Sequence, residues 1–165
     1  HDVSGAAGVV INKKCQQPDF KHICNEGIIH RLPKVNHPVY YGGPILTNVV
    51  GVLHSTDFIL TSTNTLTEDK VGFTLDRKML EVIAKGDGPK NKLITLGMAN
   101  WTTGQLEEEL EHPRSPAMSW LIMDYDEKFV FGQLDEDKPD DLWERSVSEA
   151  IRAKTKEITS KVFKD

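Results

Sequence analysis

The sequence predicts an α+β fold in one domain, and three observations carry that expectation. At 165 residues the chain has the usual size of one domain and can hold a core without disulfide staples. Strand-like and helix-like segments alternate irregularly, without the βαβαβ rhythm of a doubly wound sheet. No internal repeat, low-complexity tract or linker interrupts residues 1–165, and 38% hydrophobic with 27% charged residues is an ordinary globular balance.

The elements follow in order. Ala6-Ala7 and Val9-Val10-Ile11 read as a buried strand that starts after Gly5 and closes at Asn12, with Gly8 marking close approach by another backbone. Phe20, Ile23 and Cys24 have helical spacing and Gly27 stands where that helix would end. Pro38–Tyr41 reads as a strand delivered into the turn Gly42-Gly43-Pro44, followed by strands at Val49–His54 and Phe58–Leu60. The Ser/Thr/Asn-rich stretch Thr61–Thr67 reads as a loop. Leu75, Met79, Leu80 and Ile83 repeat with helical period and Gly86 sits at a C-cap position, which predicts a helix over 76–85. Leu93–Leu96 is a short strand running into Gly97.

Thr102 or Thr103 would cap a helix over Gly104–Glu111 that turns Leu106 and Leu110 inward and opens with acids suited to the macrodipole. Trp120–Met123 and Phe129–Phe131 read as a hairpin through Asp124–Lys128. Pro139 suits the first turn of a last helix, whose buried face would carry Trp143, Val147, Ala150 or Ile151, and Ile158.

Composition bounds the function. The formal net charge of -5 gives an overall field that repels phosphate, which weighs against direct nucleic-acid binding. Cys15 and Cys24, the two cysteines, read as free, half-buried thiols of a reducing compartment. No apolar run approaches the ~20 residues of a membrane span. The expectation is a cytoplasmic protein without a membrane partner.

Few residues carry recognisable chemistry. Phosphate-loop, dinucleotide and nucleophile-elbow signatures are absent. His54-Ser55 suggests a hydrolase, but neighbours on a strand point to opposite faces and do not form a nucleophile–base pair. Cys15, His22, Cys24, His30 and His37 lack zinc-ligand spacing, so no metal or cofactor is expected. Gly42-Gly43-Pro44 reads as a tight turn more readily than as an anion nest, because proline has no N–H. Trp101, with Asn100 and Gln105 close by in sequence, suits either a ligand contact or a core indole whose N–H needs a partner.

Taken together, Gly5–Asn12, Pro38–Pro44, Val52–Ser55, Leu80 through Gly88-Pro89, Leu96–Trp101 with Gly104–Glu109, Trp120-Leu121 and Leu142–Glu144 resemble the AlgH/YqgE family of bacterial proteins. The resemblance covers nearly the whole chain. It implies an α+β fold whose bent, mostly antiparallel or mixed sheet closes towards a barrel, with flanking helices, and it brings no established reaction. The family carries a transcriptional-regulator label, although no helix-turn-helix pattern is visible here. The family's pattern also begins before His1-Asp2, so an N-terminal strand segment is expected to be missing, which would leave a strand edge unpaired. Homo-oligomerisation through such an edge is compatible with the sequence.

Two functions from different classes follow. In the first, the protein is a non-enzymatic binding or regulatory module, and Asn12, Gly42, Gly43, Pro44, His54, Ser55, Trp101 and Gln105 form its surface for a protein or small-molecule partner. In the second, it is a hydrolase or transferase on a small substrate, with His54 as general base and Asn12 or Gln105 in support. Direct DNA contact ranks below both.

Overall fold

The computed structural model describes residues 5–25, 29, 32–113, 120–132 and 141–162; the expected helix end at Gly27 and helix start at Pro139 lie outside them. The described strands are β1 (Gly5–Gly8), β2 (Val39–Tyr41), β3 (Ile45–Ser55), β4 (Asn64–Leu66), β5 (Val71–Thr74) and β6 (Lys92–Thr102). The described helices are α1 (Phe20–Ile23), α2 (Arg77–Ala84), α3 (Gln105–Glu111), α4 (Glu127–Phe131) and α5 (Asp141–Val162). The α+β class is therefore observed. The strands lie in the order β1-β6-β3-β5-β4, with β2 beside β6 off that path. β2 runs parallel to β6, while the β3–β5, β3–β6 and β4–β5 pairs are antiparallel, so the sheet is mixed.

The chain divides into two compact units, Ala7–Asn100 and His1–Ala6 with Trp101–Asp165. In Ala7–Asn100 one face of the sheet, with Val39, Val50, Val52 and Ile94, packs on α1 and α2 through Phe20, Ile23, Met79 and Ile83. Phe20, Ile23, Met79 and Ile83 are each at most 2% exposed, and burying one such side chain stabilises the fold by roughly 1.5–3 kcal/mol. Helix α2 forms where its spacing predicts it. Asp76 accepts a hydrogen bond from Lys78 N at 2.9 Å. Gly86, at φ +85°, lets Gly86 N reach Ile83 O and Asp87 N reach Val82 O, the paired bonds of a Schellman end.

Several sequence expectations are corrected. Strand β1 ends at Gly8, and Val9–Ile11 carry no strand. Phe58–Leu60 is irregular; Phe58 and Leu60 pack against the core as parts of a connection. The stretch read as a loop contains β4, which pairs with the unforeseen β5. Trp120–Met123 is not a strand, and Phe129–Phe131 belongs to α4. There the Asp126 carboxylate accepts from Phe129 N at 3.0 Å, and that cap outweighs the β-propensity of Phe-Val-Phe.

Helix α3 is entered through Gly104 at φ +77° without a side-chain cap. Leu110 is exposed and Leu106 half-buried, so the pair does not make an inward face. On α5 the expected apolar stripe is also mostly outside: Ala150 is buried, Val147 half-buried, and Trp143 and Ile151 are 63% and 55% exposed. The Ile158 side chain lies outside the described set.

The hairpin between β4 and β5 has a built-in weakness. Leu66 pairs with Val71, and Lys70 N donates to Thr67 O at 3.1 Å, which leaves Glu68-Asp69 as a two-residue loop. Thr67, Glu68 and Asp69 all have positive φ, 53°, 54° and 62°, and only Asp69 is of a type that tolerates it. Replacing the two loop residues by Glu68→Asn with Asp69→Gly is expected to stabilise the protein by about 1–2 kcal/mol. An unchanged urea midpoint would show that the strain is not there to be relieved.

Candidate functional site

Within Ala7–Asn100 the residues singled out by the sequence fall into two neighbourhoods. In the first, the 10–13 segment runs beside the end of β2: Val10 N donates to Gly42 O at 2.8 Å and Tyr41 N to Lys13 O at 2.7 Å. This brings half-buried Asn12 near the Gly42-Gly43-Pro44 turn. Gly42 N donates to Leu96 O at 2.7 Å, so that amide is committed to β6 and is not offered to an anion. Gly42 and Gly43 are both buried. A Cβ on Gly43 would lie 2.2 Å from the Met98 carbonyl carbon; close backbone approach is the reason for glycine here.

His54 lies elsewhere on the sheet. It pairs with Lys92 on β6, whereas Tyr41 pairs with Leu96, and four residues of strand separate those positions by roughly 13 Å. The imidazole is fully buried and lies over Gly72 of β5, where a Cβ would come within 2.7 Å of its Cε1. Nδ1 is 2.9 Å from Ser55 O and Nε2 is 2.9 Å from Thr74 Oγ1.

A carbonyl only accepts, so Nδ1 carries the proton and Nε2 accepts from the Thr74 hydroxyl. Thr74 Oγ1 in turn accepts from Thr63 Oγ1 at 2.8 Å, and Thr63 Oγ1 accepts from Leu60 N at 2.9 Å. Every donor in this chain points the same way, ending on a neutral histidine. Burial lowers the His54 pKa, opposed by the Ser55 carbonyl and by Asp57.

Ser55 does not face this imidazole. Its hydroxyl donates to Asp57 Oδ1 and accepts from Asn91 N at 3.0 Å, while Ser55 N donates to Asn91 O at 2.9 Å. Asp57 also accepts from Lys90 N, and its carboxyl is held below the usual range, first by the Ser55 hydroxyl. These bonds staple the end of β3 to the approach of β6. The His54 ring and the Ser55 hydroxyl therefore make no direct bond, as their alternation on a strand requires, although the Ser55 carbonyl accepts from Nδ1.

Trp101 and Gln105 do come together, in the unit that contains α3. Trp101 Nε1 donates to Glu109 Oε2 at 3.2 Å, and Gln105 Nε2 donates to Glu109 Oε1 at 3.4 Å. Gln105 Oε1 accepts from Thr102 N at 3.0 Å and from the Thr102 hydroxyl at 3.2 Å. The Trp101 ring meets Trp120 edge-on, with centroids 5.8 Å apart, a favoured aromatic arrangement. Trp120, Leu121 and Ile122 are 45%, 55% and 78% exposed.

Glu109 and Trp120 were missed by the sequence reading. The first had a signal, four residues beyond Gln105 on a helix. The second had none, because its meeting with Trp101 is tertiary.

Among the described residues, no group of three or more His, Cys, Asp or Glu could hold a metal ion. No helix there is long and apolar enough to cross a membrane. Cys15 and Cys24 are free, and burial pushes both thiols up in pKa, away from the thiolate form that reacts.

A family model described as AlgH-like matches residues 1–153. The UPF0301 protein of Bradyrhizobium sp. (strain BTAi1) is 35% identical over 148 residues, which are 85% of this chain and 66% of that protein. The UPF0301 protein of Rickettsia akari is 34% identical over 148 residues, 87% of this chain and 70% of that one. The matches span only 66% of that Bradyrhizobium sp. protein, and 65% and 63% of the UPF0301 proteins of Nitrobacter hamburgensis and Bradyrhizobium diazoefficiens. The solution structure of the AlgH protein from Pseudomonas aeruginosa superposes with a TM-score of 0.70 at 28% identity, covering 92% of this chain and 75% of that one. A crystal structure of a Corynebacterium diphtheriae protein shares the fold, at TM-score 0.59 and 17% identity over 88% of this chain and 73% of its own.

Proposed function

The chain belongs to the AlgH-like family, and from that premise we propose that it is a non-enzymatic binding or regulatory module whose contact surface is built on Trp101 and Gln105. One observation carries this reading. Glu109 fixes both side chains, and the edge-on contact with Trp120 leads into the exposed Leu121 and Ile122. Oriented aromatic side chains beside exposed aliphatic ones suit a protein partner, since tryptophans dominate binding energy at such contacts. Cytoplasmic residence belongs to the same reading; two free cysteines fit a reducing compartment.

The test places a photo-crosslinking amino acid at Ile122 in cells of the source organism, with the adducts identified by mass spectrometry. The expected result is one recurrent partner whose capture falls about 30-fold or more in a Trp101→Ala, Gln105→Ala double variant with an unchanged circular dichroism spectrum. Equal capture by the double variant would overturn the assignment of this surface. Loss of the spectrum would make the two residues structural.

The enzymatic alternative needs His54 Nε2 free to take a proton, but that atom accepts from Thr74 inside a fully buried site. It would stand only if turnover were found that His54→Ala abolishes. Direct DNA binding would have to overcome a net charge of -5 and would show affinity falling steeply with salt.

A further inference from the structure

Within the unit that contains α5, the segment carrying Met123 and α4 faces α5 across a cleft of about 540 Å³, a volume that suits a small ligand. Met123 and Phe129 supply apolar wall; Lys128, Arg145 and Arg152 supply positive charge; Ser148 supplies a hydroxyl. Three acids also line it, but each has an occupation. Asp126 caps α4 by accepting from Phe129 N. Glu144 lies in the first turn of α5, where the helix dipole favours a carboxylate. Glu149 pairs with Arg152 at 3.7 Å. Among the described residues neither Lys128 nor Arg145 has an ion-pair partner. Three cations and three acids make the lining formally neutral, and Lys128 and Arg145 are, among the described residues, the cations left without an ion pair beside the apolar wall.

We propose that this cleft binds a carboxylate carried on an apolar group, with Arg145 as the principal anion contact and Met123 and Phe129 as the seat of the apolar part. A guanidinium matches the two oxygens of a carboxylate in one plane. The three nearby acids set the charge of the ligand: they repel a phosphate dianion more strongly than a single negative charge. The half-buried Phe129 ring and Met123 thioether, both lining the cleft, give a reason for the ligand to carry more than its charge.

N-acetyl-L-phenylalanine is the probe, followed by amide chemical shifts of the ¹⁵N-labelled full chain, with N-acetyl-L-phenylalanine amide as the uncharged control. The expected result is saturable shifts at Phe129, Arg145 and Ser148, with the amide about tenfold weaker or worse. Arg145→Gln should weaken the acid by about tenfold or more, while Lys156→Gln, outside the cleft, should leave it unchanged. If Arg145→Gln lost its dispersed spectrum, Lys128→Gln would serve in its place, with a smaller loss expected. Equal binding of acid and amide, unchanged binding by the cleft variant, displacement of the acid by equimolar inorganic phosphate, or no saturable shift up to about 10 mM would each overturn the proposal.

Discussion

Gly97→Ala is expected to cost about 4 kcal/mol or more, enough to unfold a domain of ordinary stability. Two effects combine at this residue. Its φ of +74° is a left-handed conformation that a Cβ makes unfavourable by roughly 1–2 kcal/mol. The added Cβ would also lie 2.4 Å from Gly43 O and 2.9 Å from Ile45 O. Both obstacles are backbone, so no side-chain rotation relieves them. The contact is reciprocal, since a Cβ on Gly42 would come within 2.3 Å of Gly97 O.

Gly104 is the internal control. Its φ is +77°, but nothing lies within 4 Å of its would-be Cβ, so Gly104→Ala should cost only the conformational part, roughly 1–2 kcal/mol. Urea denaturation of both variants separates the two effects. Equal midpoints would mean that the 42–43 turn and β6 are not in contact.

His54→Ala is expected to cost about 3 kcal/mol, because it leaves a cavity in the sheet and strips the Thr74 hydroxyl of its acceptor. The wild-type protein should also lose stability on mild acidification. The folded pKa of His54 is lowered from 6.5 by burial, so the unfolded chain takes up a proton more readily than the folded one. The stability due to the neutral buried ring is complete above the unfolded value near 6.5 and is lost as pH falls towards the folded value. The limiting slope is about 1.4 kcal/mol per pH unit for one proton.

His37 acts in the same direction, through burial and then the nearby Lys92 charge. Asp57 and Asp76 have pKa values lowered from 3.8, so their losses begin only in more acidic solution. Stability measured from pH 7 to pH 5 should therefore fall in the wild type and fall less steeply in His54→Ala. Parallel curves would show that His54 is charged or solvated in the folded state.

Locally encoded elements were the legible ones. Helix α2 needed only Asp76, the spacing of Met79, Leu80 and Ile83, and Gly86, all within a dozen residues. The 38–44 strand and turn were legible for the same reason. Hairpin β4–β5 was hidden because Glu68-Asp69 lacks the Asn-Gly signal, and because Gly72 interrupts the strand pattern to make room for an imidazole from β3. Trp120–Phe131 was misread because aromatic and β-branched residues suggest strands, while a single capping carboxylate at Asp126 decided for a helix.

Family membership was also legible, since its motif blocks occur along the chain in order. Among the eight residues of the expected surface, the sequence set identities but not company. Gln105 and Trp101 meet because α3 turns Glu109 back to both of them.

By itself, the sequence determined the α+β class, the family, the buried face of α1, that of α2 except Leu75, which precedes the helix and is exposed, and the separation of the His54 and Ser55 side chains, because these follow from short-range periodicity and from side-chain alternation on a strand. Only the tertiary structure decided that His54 ends a one-way hydrogen-bond chain from Leu60, that Trp101 stands against Trp120, and that Lys128 and Arg145 share a cleft. Those arrangements depend on strand register and on the packing of distant segments, which a linear pattern does not encode.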